Sequence, residues 1–161
     1  MPNTFATVRR AVNAIIGKGD GANLRAPGAR TVVQAASASG NVVDFKLRLP
    51  LDARVDMSSR LYWDDLATSG SPTMILGLFP VDGNFTADDD ALNTGLAISA
   101  VSTANGVNAI ADHANAGKQL WEFISGLTSN PGGFADVKAT IKSAATTTSG
   151  DITLDLKTYD D

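Results

Sequence analysis

The sequence predicts an all-β chain: an antiparallel β-sandwich, jelly-roll-like, that carries an N-terminal helical or extended arm. Three observations predict it. Apolar side chains alternate with polar ones over several short runs, the period of two expected of half-buried strands. Turn-forming residues recur between these runs. The acids are almost all Asp, with Glu122 the single glutamate, and Asp, Asn, Gly and Ser favour turns over long helices.

The elements follow in chain order. Phe5, Val8, Val12, Ile15 and Ile16 recur at helical spacing. Arg9 and Arg10 fall off that stripe, and Gly17-Lys18-Gly19-Asp20-Gly21 then breaks the run as a hinge. The division expected is an arm over residues 1–30 and a sandwich over 31–161. Thr31 to Ala36 is a short β-branched run. Val43, Phe45, Leu47 and Leu49 alternate with Asp44, Lys46 and Arg48 until Pro50 ends the strand. Val55, Met57 and Leu61-Tyr62-Trp63 suggest another. Thr73 to Phe79 is nearly continuously apolar, as suits a central strand covered on both faces. Thr86 to Leu92 reads as a short helix, with Thr86 as its cap and the acids in its first turn. Leu96 to Val101 either continues that helix or forms a strand, and residues 109–114 are ambiguous. Gln119, Trp121 and Phe123 are placed on one face of a strand. Val137, Ala139 and Ile141, then Ile152, Leu154 and Leu156, alternate on either side of a turn-rich link over 143–150, which predicts a hairpin with a long loop. The core expected from these patterns is Phe45, Leu47, Trp63, Leu76, Leu78, Ile141, Leu154 and Leu156. The count of seven or eight strands, without a βαβ rhythm, argues against a doubly wound enzyme.

Composition narrows the chemistry. A chain of 161 residues buries roughly 68–70% of its unfolded surface and needs no staples. There is no cysteine, so disulfides and thiolate metal sites are excluded. The formal charge of −4 argues against nucleic acid as a partner of the whole surface, and no apolar run approaches the ~18 residues of a membrane span. The N-terminus lacks the apolar core of a signal peptide, which suggests a protein not exported by the usual route.

Candidate chemistry is sparse. His113 is the only histidine, so it cannot build a multi-histidine metal site. No Gly-x-Ser-x-Gly elbow accompanies it. Gly17–Gly21 lacks the lysine followed by Ser or Thr of a phosphate loop. Asp82, Asn84, Thr86 and Asp88 alternate as calcium ligands do, but Ala87 and Asn93 stand where an EF-hand needs glycine and glutamate. Asp64-Asp65 are neighbours, pointing to opposite faces if they lie in a strand, and read as turn caps rather than as a pair flanking one bond. No catalytic residue, metal ligand or cofactor-binding residue is assigned, and no enzyme activity is expected.

Charge is unevenly distributed. Residues 1–60 hold nine bases and four acids, a net +5, whereas the remainder nets −9. Either the two halves meet on one sandwich, or a basic attachment end opposes an acidic exposed end.

Ser59-Arg60-Leu61-Tyr62-Trp63-Asp64-Asp65-Leu66, then Ile75-Leu76-Gly77-Leu78-Phe79 and Asp88-Asp89-Asp90-Ala91-Leu92 resemble small structural proteins of tailed bacteriophages. An aromatic-rich strand leads there to a glycine-containing strand and an Asp-rich turn. Ala111-Asp112-His113-Ala114 through Lys118-Gln119-Leu120-Trp121, and Gly126 to Gly133, share this texture. The likeness covers about residues 55–160. It implies a capsid decoration (cement) protein on the outer surface of a virion. Such a protein binds the major capsid protein lattice, often as a homotrimer, without nucleic acid, membrane or cofactor. The capsid or subunit contact residues expected are Phe5, Val8, Arg9, Arg10, Val12, Ile15, Ile16, Arg25 and Arg30. Alternatives are a neck, tail or head-fibre component and, from another class, a carbohydrate-binding β-sandwich. The last would present aromatic platforms in an open groove, whereas Trp63 and Trp121 sit among apolar neighbours and read as core.

Overall fold

The computed structural model describes residues 24–25 and 28–159. Eleven strands lie within them: β1 (Leu24–Arg25), β2 (Gly28–Val33), β3 (Val42–Pro50), β4 (Arg54–Val55), β5 (Arg60–Trp63), β6 (Thr73–Pro80), β7 (Asp88–Ala97), β8 (Val107–Asn108), β9 (Phe134–Lys142), β10 (Gly150–Asp155) and β11 (Thr158–Tyr159). The helical elements described are two 3-10 turns, η1 (His113–Asn115) and η2 (Leu120–Phe123). None is long and apolar enough to cross a membrane.

Two four-stranded antiparallel sheets form the body, ordered β2-β10-β5-β8 and β3-β9-β6-β7. The chain passes from one sheet to the other at almost every step: β2 to β3, β5 to β6, β7 to β8, β8 to β9 and β9 to β10. Only β6 and β7 are consecutive partners within a sheet. This alternation over eight strands is the double-sheet jelly roll, which lets two open sheets cover each other's apolar faces. A small third sheet, β1-β11-β4, closes one end.

Alternation selects the buried faces. Phe45, Leu47 and Leu49 of β3, Met74, Leu76 and Leu78 of β6, and Ala135, Val137, Ala139 and Ile141 of β9 face the other sheet's Leu61, Trp63, Ile152 and Leu154 in one core. Every residue of the expected core is buried there. Trp63 also satisfies its indole N–H, which donates to the Ala100 carbonyl at 2.9 Å, as a buried tryptophan must. β6 lies inside its sheet between β9 and β7, as its apolar run predicts.

Three expectations are corrected. Thr86 to Leu92 is not a helix, because the chain enters β7 at Asp88. The acids serve tertiary contacts rather than a helix end: Asp88 accepts from the Ser125 N–H at 2.7 Å, and Asp89 pairs with Lys142 at 2.8 Å. β9 and β10 do not form a hairpin. β10 pairs with β2 and β5, and β9 with β3 and β6, so residues 143–149 carry the chain between sheets. Alternation says which face is buried but not which strand is the neighbour. Gln119, Trp121 and Phe123 belong not to a strand but to η2 and its N-terminal flank, where Glu122 reaches back to the Gln119 N–H at 2.7 Å. Trp121 is only half-buried there and hydrogen-bonds Gln119 Oε1 through its indole N–H.

Candidate attachment surface

Of the contact residues expected, Phe5, Val8, Arg9, Arg10, Val12, Ile15 and Ile16 lie outside the described residues. Arg25 lies in β1 opposite Thr158, and Arg30 in β2 opposite Thr153. The strands therefore begin upstream of residue 31, and the chain is already in sheet from Leu24.

β1 places the incoming chain at a definite end of the body. Leu24 stands opposite Tyr159, Tyr159 opposite Arg54, and Arg54 bridges to Gln119 at the start of η2. A second row follows the same end: the Trp121 N–H donates to the Leu51 carbonyl, the Leu51 N–H to the Gly133 carbonyl, and the Asn84 side-chain amide to the Gly132 carbonyl. Gly133 has φ +83, and a Cβ there would press on Asn84 and Asp82. A residue without a side chain is what lets these loops close on each other. This end carries Trp121 and Phe123, both half-buried, and Phe134 at 46% exposed.

The outer face of the β3-β9-β6-β7 sheet is organised by ion pairs along its register. Arg48 binds Asp136 at 2.9 Å, and Asp44 takes Lys46 at 2.9 Å and Lys138 at 3.8 Å. Lys138 lies 5.4 Å from the Phe79 ring centre, within cation–π range. Basic residues of the first half thus meet acids of the second at Arg48–Asp136, while Lys142–Asp89 lies wholly within the second half. Burial opposes ionisation of Asp44, but hydrogen bonds from Lys46 and the charge of Lys138 outweigh it and hold the carboxyl below its ordinary range. Asp90 shifts the other way, held up by its hydrogen bond to Asp88, by burial and by the charges of Asp88 and Asp89.

The chemistry candidates resolve into structural supports. Asp65 accepts from the Ala67 N–H, as a turn cap does, whereas Asp64 accepts from the Asp151 N–H of β10, a contact between distant segments and not a turn cap. Asp112 caps η1 by accepting from the Ala114 N–H, leaving His113 exposed. Among the described residues, no group of three or more His, Cys, Asp or Glu side chains could hold a metal ion. A groove between β2 and β3 is lined mainly by polar groups, with Val42 at 49% exposed on its rim; neither the groove nor η2 was legible as a surface feature in the sequence.

No protein family and no curated protein matches the sequence. One solved structure does match in fold: a chain of the cyanophage Pam1 capsid asymmetric unit, at TM-score 0.53 and 17% identity, covering 90% of each chain. At that identity the likeness is one of fold.

Proposed function

We propose that this chain is a structural protein of a tailed-phage virion that binds the outside of the capsid lattice and stabilises it. The observation that carries the reading is the correspondence, over 90% of both chains, with a component of the cyanophage Pam1 capsid asymmetric unit. The jelly roll alone is neutral, since lectin domains and cupins use it as well. The aromatic residues support the virion reading over sugar binding: Trp63 is in the core, and Trp121 spends its indole N–H on Gln119. In this reading the protein assembles as a homotrimer. Residues 1–30 make the lattice or subunit contact through the apolar stripe Phe5 to Ile16, with Arg9, Arg10, Arg25 and Arg30 beside it. The stripe outweighs the charges, because exposed ion pairs contribute only about 0–1 kcal/mol each.

The test mixes purified protein with undecorated capsids. Saturable co-sedimentation, with capsids that survive higher temperature or denaturant, is expected. A truncation lacking residues 1–23, which leaves every described strand intact, should bind at least about tenfold more weakly, as loss of repeated contacts multiplies on a lattice. Failure of the full-length protein to bind capsids, or binding to a glycan instead, would overturn the reading.

A further inference from the structure

We propose that the end of the sandwich around η2 is the receiving surface for residues 5–16 of this same chain. The inference rests on the reading of that segment as an apolar stripe that needs a partner surface, and it names that surface. Position comes first. Leu24 is separated from Gln119 by two intervening residues in register, Tyr159 and Arg54. Three inter-strand steps of about 4.8 Å put the chain's point of entry roughly 14 Å from η2. The seven residues from Gly17 to Asn23, glycine-rich in their first half, can span about 23–25 Å when extended. Residues 5–16 therefore reach this end without strain.

Chemical match comes second. The segment offers an apolar stripe flanked by Arg9 and Arg10, with Lys18 behind it. The receiving end offers Trp121, Phe123 and Phe134, which the body leaves half-buried or exposed. Asp52 and Glu122 stand exposed beside Leu51 and within η2, and Asp82 lies against Gly133. The bases nearest by are engaged locally: Arg54 on the Gly117 carbonyl, Lys118 on Asn115, and Arg48, which also feels Asp82, on Asp136. An aromatic floor with an acidic rim thus faces an apolar stripe with a basic margin. A segment of this length is marginal as a helix alone in water and gains from such a surface.

The chain has no cysteine, so engineered thiols report unambiguously. The full-length double variant Val12→Cys/Ser125→Cys places one thiol on the stripe and one just beyond η2. The control Val12→Cys/Ser39→Cys puts the second thiol in the loop joining β2 and β3, at the opposite end of β3. Under mild oxidation without capsids, the first pair should close at least about tenfold faster, reflecting the effective concentration of a docked segment. A non-reducing gel should show the bridge closed within one chain, as the reach from Leu24 requires; a bridge formed only between chains would overturn the inference. Equal rates for the two pairs, with both variants melting as the parent does, would overturn it. Capsids are absent from both reactions, so a failure here leaves the capsid reading standing.

Discussion

The two faces of the β3-β9-β6-β7 sheet are made from the same four strands and obey different rules. The inner face is a continuous apolar layer in which Met74, Leu76, Leu78, Val137, Ala139 and Ile141 are each fully buried. The outer face mixes ion pairs, the Phe79–Lys138 contact, buried Ile75 and Thr140, and the backbone of Asp88 and Asp89 lying over Gly77. The inner face depends on which residues are apolar. The outer face depends on which residues are neighbours. One follows from composition along each strand; the other follows from register between strands.

The comparison is tested most severely at Leu76. Leu76→Ala removes a fully buried side chain from the inner layer and should cost about 2–5 kcal/mol, read as a lower denaturant midpoint at unchanged slope. A loss below about 1 kcal/mol would mean that this layer is not close-packed.

Gly77 is one residue away and faces outward. A Cβ there would collide with the Asp88 carbonyl oxygen and the Asp89 backbone, so Gly77→Ala should cost about 1–3 kcal/mol or more although it adds only a methyl group. Amide exchange should localise the damage to β7 rather than to β9. Protection lost equally on both sides of β6 would show that the outer face has no separate packing.

The smallest effect has the opposite sign. Asp90 is exposed, and its carboxyl is held above its ordinary value by the bond to Asp88, by burial and by the charges of Asp88 and Asp89. A group whose folded-state pKa is raised contributes stabilisation that is complete below its unfolded value and lost as pH rises through the folded one. Asp90→Asn should therefore stabilise the protein at pH 7 by less than about 1 kcal/mol. The gain should shrink as pH falls through the raised folded value and level off below the ordinary carboxylate value of 3.8. Melting curves of both proteins across that range check it, and a gain that grows in acid would contradict the assignment.

Much of the inner face could be read without coordinates. Phe45, Leu47, Ile141, Leu154 and Leu156 announce themselves by alternation, because a strand has only two faces and one-residue slips would expose the whole set, while Leu76 and Leu78 stand out within a nearly continuous apolar run. The strands β3, β9 and β10 were legible for the same reason, and β6 by the length of its apolar run. The candidate surface was legible only in part. The stripe Phe5 to Ile16 stands out in the sequence, but nothing local indicates that Trp121, Phe123 and Phe134 share an end with Leu24. That juxtaposition depends on the rows Leu24–Tyr159–Arg54–Gln119 and Trp121–Leu51–Gly133, whose members lie far apart in the chain.

Sequence by itself determined the class of fold and the buried side of each principal strand, since both are decided by side chains a few residues apart. Tertiary structure alone decided that β9 and β10 belong to opposite sheets, and that Asp88–Asp90 open a strand instead of a helix. The physical reason is the same in both cases. Local preferences differ by about a kcal/mol or less per residue. Pairing β10 with β2 and β5, or β7 with β6, adds a ladder of hydrogen bonds and a buried apolar face together, and that larger sum overrides what any short stretch of residues prefers.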